Sequence, residues 1–477
     1  MGQEISSRHF SPQDYTDFTS HLANETQTLT QWCEEGRFSH KKAFIGLEME
    51  AWLVNQHQQP AAINDHFLTR LNDPLVVPEL AKFNIELNVT PQPIINTGLR
   101  SLHQQLDDIW LRSQRCAEAL NSEALLIGIL PTAKDSDLVL KNMSSMKRYE
   151  VLNQQIMKAR QGRPLKLDIN GHEHLESTHY DVMLESAATS FQLHLQVPFE
   201  ECKAYFNASV MASAPLVALS ANSPYLFGKS LWEETRIPLF EQSVEAGGYD
   251  GAAQGPVKRV TFGSSYARES ICEFFIENKE HYPILIPCIF EGETETLPHL
   301  RFHNGTIWRW NRPLLGFDDD GTPHIRIEHR VIAAGPTIID EIANSAVYYG
   351  LVNWLSRQDT PAEMLLPFAH AKNNFYDAAR YGLNAKTYWL NNYRTGVHSL
   401  ILEKILPAAE SGLKQLGVDH DDILRYLGII EGRVRSKRTG SFWQRAFIKK
   451  YNCSMATMTK HYIENQKTGL PVHHWPI

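Results

Sequence analysis

Two acidic residues in an alternating segment give the clearest chemical signal in this chain. Glu48 and Glu50 lie two positions apart within residues 44–54, where the intervening positions are apolar. In a β-strand this spacing places both carboxylates on one face, about 7 Å apart, and the apolar side chains on the other. Two anions so close need cations or solvent around them. The pair is therefore a candidate platform for a divalent metal, although a solvated surface strand can also carry two glutamates.

Three further segments, residues 83–89, 190–197 and 324–331, alternate in the same way. If all four form one antiparallel sheet, their polar faces join into a single surface. That surface carries Glu48, Glu50, Glu86, Gln192, His194, Glu328 and Arg330.

This set of side chains suggests metal-dependent phosphoryl transfer. Four clustered carboxylates repel one another by several kcal/mol at an intermediate dielectric constant. Divalent cations remove the conflict, and oxygen ligands with one imidazole favour Mg²⁺ or Mn²⁺ over Zn²⁺. Arg330 on the same face needs an anion, and phosphate is the obvious one. The chain has neither a Walker A motif nor GxGxxG, so a nucleotide would be bound by metals and arginine on a sheet.

Structural explanations exist for each residue alone. Each carboxylate could be an ordinary surface residue, His194 could be a satisfied core histidine, and Arg330 could form an ion pair with Glu328. A metal-dependent phosphatase or nuclease would need an array of His and Asp that activates water. The single His on the platform and the acidic isoelectric point argue against that class.

Composition narrows the class of protein. The chain has 477 residues, 43% of them hydrophobic and 21% charged, which is typical of a globular protein with a large core. Its net charge of −8 argues against nucleic-acid binding through bulk charge. No opening signal peptide and no apolar run of 18 residues stand out. We expect a cytoplasmic protein that binds neither nucleic acid nor membrane.

The cysteine and histidine patterns do not predict further metal sites. Six scattered Cys without a CxxC spacing are expected to be reduced thiols, and no disulfide pair can be read from them. The polar segment 162–182 contains His172, His174 and His179. We interpret it as a loop and not as a zinc site, because no fourth ligand is placed nearby.

Helical periodicity surrounds these strands and dominates the second half of the chain. Residues 300–310 have a hairpin pattern with an Asn304-Gly305 turn, and residues 432–440 form a basic, Gly-flanked link. A buried strand is predicted at 124–130. Helices are predicted at 8–36, 64–72, 97–122, 201–220, 338–357, 361–378, 396–416 and 420–432.

Three regions follow from these elements. Residues 1–40 form an N-terminal helical segment, and residues 41–357 form the sheet-containing catalytic domain. Within it, residues 245–300 have few regular signals and are interpreted as an insertion or lid. Residues 358–477 form a helical C-terminal region, whose apolar stripes serve either core packing or a subunit interface such as that of a homodimer.

Seven short motifs, in chain order, resemble the glutamate–cysteine ligase type 2 group, which includes the bacterial carboxylate–amine ligases. The order agrees from about residue 40 to about residue 450. The motifs are Gly46–Glu50, Ile85–Asn88, Phe191–Leu195, Gly305–Trp308, Arg312–Pro313, Ile327–Arg330 and Ala378–Leu383.

The resemblance implies an α+β fold like that of glutamine synthetase. In it a curved antiparallel sheet binds ATP and two or three Mg²⁺ on its concave face, with helices on the outer face and a helical C-terminal region. It also implies an ATP-dependent ligase. ATP phosphorylates a substrate carboxylate, typically the γ-carboxylate of glutamate, and an amine then attacks the acyl phosphate.

The resemblance also assigns roles to individual residues. It places a metal or phosphate contact at His194, a neighbouring polar contact at Gln192 and a phosphate-neutralising group at Arg330. Arg148 and Arg236 correspond to arginines that face substrate or nucleotide, and Arg435 and Lys437 of the basic link could reach the phosphates of ATP. The metal ligands would be Glu48, Glu50, Glu86 and Glu328.

Two departures from the family pattern concern specificity. Related sequences carry an Asp shortly after the Glu-x-Arg pair, whereas this chain continues Val331–Gly335. Residues 245–300 are also longer and more charged than in the simplest bacterial members. We therefore predict glutamate–cysteine ligase activity, with a different acid or amine as the first alternative. A non-catalytic, nucleotide-binding regulator is the second alternative, and it is disfavoured because no platform carboxylate is missing.

Overall fold

The computed structural model describes residues 4, 5, 7–246, 258–290 and 294–477. Part of the predicted insertion at 245–300 therefore lies outside the described residues. The strands are β1 (Phe44–Asn55), β2 (Val76–Pro78), β3 (Asn84–Asn88), β4 (Gln92–Pro93), β5 (Ser122–Leu125), β6 (Leu165–Asn170), β7 (His174–His179), β8 (Ser190–Gln196), β9 (Tyr225–Leu226), β10 (Lys229–Ser230), β11 (Val260–Thr261), β12 (Trp308–Arg309), β13 (Asn311–Phe317), β14 (Pro323–Ala333), β15 (Lys386–Trp389) and β16 (Tyr393–Gly396).

One curved antiparallel sheet of eight strands organises the fold, as predicted. Its order is β13–β14–β8–β1–β3–β2, and β4 and β5 also pair with β1. The other strands form two-stranded pairs, β6 with β7, β9 with β10, β11 with β12 and β15 with β16. The four strands identified from alternation are β1, β3, β8 and β14, and they are neighbours in this sheet.

The strand register joins the polar faces. Directly opposed residues of an antiparallel pair lie on the same face. Glu50 is opposite Glu86 across β1 and β3, and Glu48 is opposite Gln192 across β1 and β8. On the other side of β8, Glu328 is opposite His194. The platform is therefore continuous over four strands.

Several helices pack on the apolar face of the sheet, and others surround its polar face. The fully buried positions of β1, such as Ile45 and Met49, lie on the apolar side. The helices are α1 (Pro12–Glu35), α2 (Asn64–Leu71), α3 (Gly98–Glu118), α4 (Lys147–Ala159), α5 (Cys202–Ser220), α6 (Arg236–Ser243), α7 (Glu273–His281), α8 (Pro298–Gly305), α9 (Ile338–Ser356), α10 (Ala362–Leu365), α11 (Phe368–Tyr381), α12 (Val397–Leu400), α13 (Leu406–Gln415), α14 (His420–Ser436), α15 (Gly440–Tyr451) and α16 (Met455–Gln466).

The central helix is α9, which is apolar on nearly all sides because it packs between the sheet and other helices. It begins after Thr337, whose side chain accepts a hydrogen bond from the backbone N–H of Asp340. Helices α5 and α13 pack against it. The Tyr349 hydroxyl of α9 donates to the backbone carbonyls of Gly46 and His194, at 3.2 Å each. The helix layer is thus bonded directly beneath the polar platform.

The hairpin predicted at 300–310 is wrong. Helix α8 covers its first half and ends at Gly305. The buried Asn304 side chain donates to the carbonyl of Pro313 at 2.9 Å, so the Asn-Gly pair ends a helix instead of forming a two-residue turn. Pro298 at the first position of α8 supplies a helix start that the hairpin pattern obscured.

The loop predicted at 162–182 is also wrong, since these residues contain the β6–β7 hairpin. In β6, Leu165, Leu167 and Ile169 are buried and alternate with exposed polar residues. The many charged residues masked this short alternation. The strand predicted at 124–130 is shorter than expected and is confined to β5.

The expectation of six reduced thiols is wrong for two cysteines. Cys33 near the end of α1 forms a disulfide with Cys272, directly before α7. The two residues are 239 positions apart in sequence. No spacing pattern reveals such a pair, because the packing of α1 against α7 brings them together. In the described part of the chain, Cys116, Cys202, Cys288 and Cys453 form no disulfide.

The predicted basic link at 432–440 is helical up to Ser436. Arg433 of α14 is buried and donates to Asp340 of α9 at 2.7 Å, with both side chains at most 1% exposed. Arg435, two residues on, is exposed and pairs with Glu431. In the part of the chain that is described, no helix is long and apolar enough to cross a membrane.

We predict that Arg433→Met destabilises the protein by about 3–5 kcal/mol, because the variant leaves the Asp340 carboxylate buried without its partner. Chemical denaturation monitored by circular dichroism measures the loss. Arg435→Met is the matched control, and its exposed ion pair should contribute less than about 1 kcal/mol. Equal losses in the two variants would contradict a specific role for the buried pair.

Candidate active site

A cavity of 510 Å³ lies over the polar face of the sheet. Its floor carries the platform carboxylates, and its walls come from α4, α6, α8, β13 and a short 3-10 helix at Met183–Ala187. The residues that line the cavity include Glu48, Glu50, Glu79, Glu86, Tyr149, Leu152, Glu185, Gln192, Phe240, Val244, Arg301, Trp308, Arg312, Arg326, Glu328 and Arg330.

One cluster of ligand atoms consists of Glu48, His194 and Glu328, all within 4.8 Å of one another. His194 Nε2 lies 3.1 Å from Glu48 Oε1. The other ring nitrogen, Nδ1, accepts a hydrogen bond from Arg326 at 3.2 Å. The imidazole is therefore oriented by Arg326 and turns its Nε2 toward the carboxylates.

A second cluster consists of Glu50, Glu79 and Glu86, again within 4.8 Å of one another. Glu50 accepts hydrogen bonds from the backbone N–H of Ser190 at 2.7 Å and from its hydroxyl at 2.9 Å. Glu86 accepts one from Asn88 at 2.9 Å. Sequence reasoning missed Glu79, which directly follows the three-residue strand β2. That strand is too short to show alternation.

The two clusters differ in how their charge is compensated. Burial acts to raise the pKa of Glu48, but the adjacent His194 lowers that pKa to about 2. Burial likewise opposes ionisation of Glu328, yet Arg312, Arg330 and His194 hold its pKa well below the usual range. Both carboxylates of the first cluster are therefore ionised at neutral pH.

The second cluster has fewer cations nearby. Burial and then the charge of Glu79 raise the pKa of Glu50 to about 7, against the opposing effect of Arg330. Burial, with the charges of Glu48 and Glu79, raises the pKa of Glu86 well above its ordinary value. Three carboxylates with so little compensation are the donor set that a hard divalent cation binds. The residues present therefore fit one Mg²⁺ or Mn²⁺ at each cluster.

Arg330 lies between the two clusters. Its guanidinium donates to Glu328 at 3.1 Å and to the side-chain oxygen of Gln192. Gln192 in turn donates to Glu50 at 3.0 Å. Arg312 forms two parallel hydrogen bonds with Glu328, at 2.9 and 3.0 Å. This chain of bonds fixes a cation on the cavity floor where an anionic group can reach it.

The structure places two predicted arginines behind the cavity wall. Arg236 is buried, and it donates to the backbone carbonyls of Arg330 and Val331, the latter at 2.6 Å. Arg148 is also buried and donates to the Tyr149 hydroxyl at 2.8 Å. Neither guanidinium lines the cavity, and both contact residues that support it. The substrate or nucleotide contact predicted for them is not seen in this geometry.

The structure does not bring the basic segment to the cavity. Arg435 is engaged by Glu431 on the surface, and Lys437 lines a separate cavity beside β15 and β16. The predicted contact of these two residues with ATP phosphates therefore has no support from their positions.

The three histidines of the 162–182 segment are not gathered into a site. His174 is exposed and contacts Asp168 at 2.9 Å, whereas His179 is buried and lies 3.5 Å from Asp135. His174 lies instead in an exposed group with Asp168 and Glu176, whose ligand atoms are within 4.8 Å of one another. The absence of a zinc site in this segment stays a prediction.

A second cavity of 480 Å³ continues from the first along β1. Glu48 and Arg326 line both cavities. The second one adds Lys41 and the aromatic residues Phe44 and Phe317. The polar face therefore offers two adjoining cavities that meet at the first cluster.

Comparison with known proteins agrees with this geometry. The model of the glutamate–cysteine ligase family 2 matches residues 44–468. The crystal structure of a glutamate–cysteine ligase from Francisella tularensis in complex with AMP has a TM-score of 0.54 to this chain at 12% identity, with 90% of each chain covered. A bifunctional glutathione synthetase from Pasteurella multocida has the same TM-score at 11% identity. That match covers 94% of this chain but only 54% of the synthetase, and no curated protein matches in sequence.

We predict that the affinity for Mg²⁺ rises with pH between 6 and 8. Glu50, whose pKa is raised to about 7, and Glu86, whose pKa is raised well above its ordinary value, must lose protons before they bind a cation. Below pH 7 the apparent dissociation constant should therefore fall about tenfold per pH unit for each proton released. Isothermal titration calorimetry in buffers of different ionisation enthalpy measures both the affinity and the protons released. An affinity independent of pH would contradict the assignment of the second cluster.

We also predict that Glu79→Gln weakens metal binding by at least about tenfold, because it removes a ligand atom while keeping the side-chain volume. Electron paramagnetic resonance of Mn²⁺ measures the free ion directly. Glu403→Gln, at an exposed position of the C-terminal region, is the control and should bind Mn²⁺ like the wild type. If both variants bind equally, Glu79 is not a ligand.

Proposed function

Because the chain belongs to glutamate–cysteine ligase family 2, and is therefore an ATP-dependent carboxylate–amine ligase, we propose that it joins the γ-carboxylate of glutamate to the amino group of cysteine. One observation carries this proposal. Two clusters of metal-ligand side chains share a cavity floor, and Arg330 lies between them. A site that must hold a polyphosphate and a carboxylate together needs these groups.

The chain's own residues account for the phosphoryl transfer. A carboxylate oxygen of the acid substrate would attack the γ-phosphorus of ATP, and the bond to the β-phosphate oxygen would break to release ADP. Arg330, fixed by Glu328 and Gln192, would neutralise charge on the transferring phosphoryl oxygens. The two clusters would each hold one Mg²⁺, which supplies charge neutralisation and orientation of the phosphates when it is bound.

The second half-reaction forms the amide bond. The amine nitrogen would attack the carbonyl carbon of the acyl phosphate, lose a proton, and expel inorganic phosphate. Phosphorylation is needed because a free carboxylate is a poor electrophile. A cavity covered by α4, α6 and α8 limits the access of water, which would otherwise hydrolyse the acyl phosphate.

The test follows ADP formation by the purified protein with ATP, Mg²⁺ and glutamate, with and without a panel of amines. ADP release that depends on cysteine, with γ-glutamylcysteine as the product, would support the proposal. Release with another pair would retain the ligase and change its substrates. ATP binding without turnover for any pair would instead favour a nucleotide-binding regulator.

We predict that Glu328→Gln lowers turnover by at least about 100-fold, since it removes a metal ligand and loosens Arg330 without changing volume. Initial rates at saturating substrates measure the effect, and thermal unfolding checks that the variant is folded. Near-normal turnover would contradict the assignment of the first cluster as a metal site.

A further inference from the structure

One carboxylate of the cavity belongs to neither metal cluster. Glu185 lies in the 3-10 helix Met183–Ala187, five residues before β8, and lines the cavity wall. The metal-ligand clusters are complete without it, with three side chains each. The search for chemistry-bearing residues by strand alternation missed it, because it lies outside the strands.

Glu185 has no protein partner among the described residues. Its carboxylate receives no hydrogen bond and forms no ion pair there, whereas the floor residues Glu48, Glu50, Glu86 and Glu328 all have one. The charged groups that act on it are Glu79, Glu50 and Arg330. Arg330 is already bonded to Glu328 and Gln192. Burial and the charges of Glu79 and Glu50 raise the pKa of Glu185 well above its ordinary value, against the opposing effect of Arg330. A carboxyl group with unused acceptor oxygens therefore faces the cavity, and a cation bound there would favour its ionised form.

The surroundings of Glu185 fit an organic cation better than a third metal ion. The 3-10 helix that carries Glu185 packs directly against α6. It is linked to α4 by a hydrogen bond from the Val182 N–H to the Asn153 side chain at 3.0 Å. These two helices line the cavity with Tyr149, Leu152, Phe240 and Val244.

A divalent metal ion and an alkyl ammonium group need different chemical surroundings in a protein. A hard divalent cation needs several oxygen ligands converging on it, and Glu185 is not within a third such cluster among the described residues. An alkyl ammonium needs one or two acceptors for its charge and apolar contacts for its methylene groups. A carboxylate beside an apolar and aromatic wall meets the second need.

We propose that Glu185 binds an ammonium group of a substrate, and so sets the class of compound that this ligase accepts. The inference rests on the proposed ligase function. The ammonium has two sources with the same chemistry. It is either the α-ammonium of the acid substrate, whose reacting carboxylate lies at the metal clusters, or the distal ammonium of a diamine whose other, neutral amine attacks.

The α-ammonium source is tested by comparing glutamate with glutarate, which lacks the amino group. Calorimetry with Mg²⁺ and a non-hydrolysable ATP analogue measures the binding of each to the wild type, to Glu185→Gln and to the exposed control Glu403→Gln. The wild type and the control should bind glutamate about 10- to 100-fold more tightly than glutarate, as expected for a charged hydrogen bond. Glu185→Gln should lose this preference and leave glutarate binding unchanged.

The diamine source is tested in the same way with pentane-1,5-diamine and pentylamine. A preference for the diamine that Glu185→Gln removes would assign Glu185 to the amine substrate. In turnover assays, the variant should raise the KM of the ammonium-bearing substrate and leave kcat nearly unchanged. A purely structural role would lower kcat and thermal stability instead.

Two results would overturn the proposal. The first is that the wild type prefers neither glutamate over glutarate nor the diamine over pentylamine. This measurement uses the wild type alone and so does not depend on the folding of Glu185→Gln. The other is a folded Glu185→Gln that retains the wild-type preference. Failure of the ligase function is distinguishable, because binding is measured without turnover. If no acid and amine are joined but Glu185 still discriminates ammonium-bearing ligands, the ammonium site stands and the ligase does not.

Discussion

Repulsion between carboxylates on one face of a sheet is the constraint on which this structure depends. The register of β1 with β3 sets Glu50 opposite Glu86, and Glu79 from the end of β2 joins them. Such a cluster opposes folding unless the backbone beneath it is held firmly. The bonds from Tyr349 to the carbonyls under the platform, and the helices α5, α9 and α13 behind it, supply that support.

The carboxylates of the two clusters are neutralised by nearby cations to different extents, and this difference affects which cluster attracts a cation more strongly. His194, Arg312 and Arg330 keep Glu48 and Glu328 ionised and oriented. The second cluster, at Glu50, Glu79 and Glu86, is left short of cations, so a divalent ion gains most by binding there. In the ligase that we propose, repulsion that costs stability in the free protein would become affinity for the metal, and the phosphates of ATP would meet preorganised charge instead of rearranging solvent.

Different parts of the fold serve catalysis and selectivity. The ligands of the metal clusters come mainly from the sheet, whose register the helix layer fixes. The walls over them come from α4, α6, α8 and the Met183–Ala187 helix, which lie outside the strand register and can vary without disturbing it. In the ligase that we propose, the cavity floor would perform the phosphoryl transfer, and the choice of acid and amine would depend on side chains of the walls such as Glu185.

The sequence by itself determined the sheet and most of the side chains that cluster on its polar face, because alternation with a period of two is a local property that four strands display. Glu48, Glu50, Glu86, His194 and Glu328 were all found in this way. Tertiary structure alone decided what depends on contacts between distant segments. It added Glu79 from a strand too short to alternate, and it paired Cys33 with Cys272. It placed Arg236 behind the cavity wall and Arg435 and Lys437 away from the cavity. It also showed that residues 298–305 form a helix. A sequence records the period of each element, but only packing decides which ends of different elements meet.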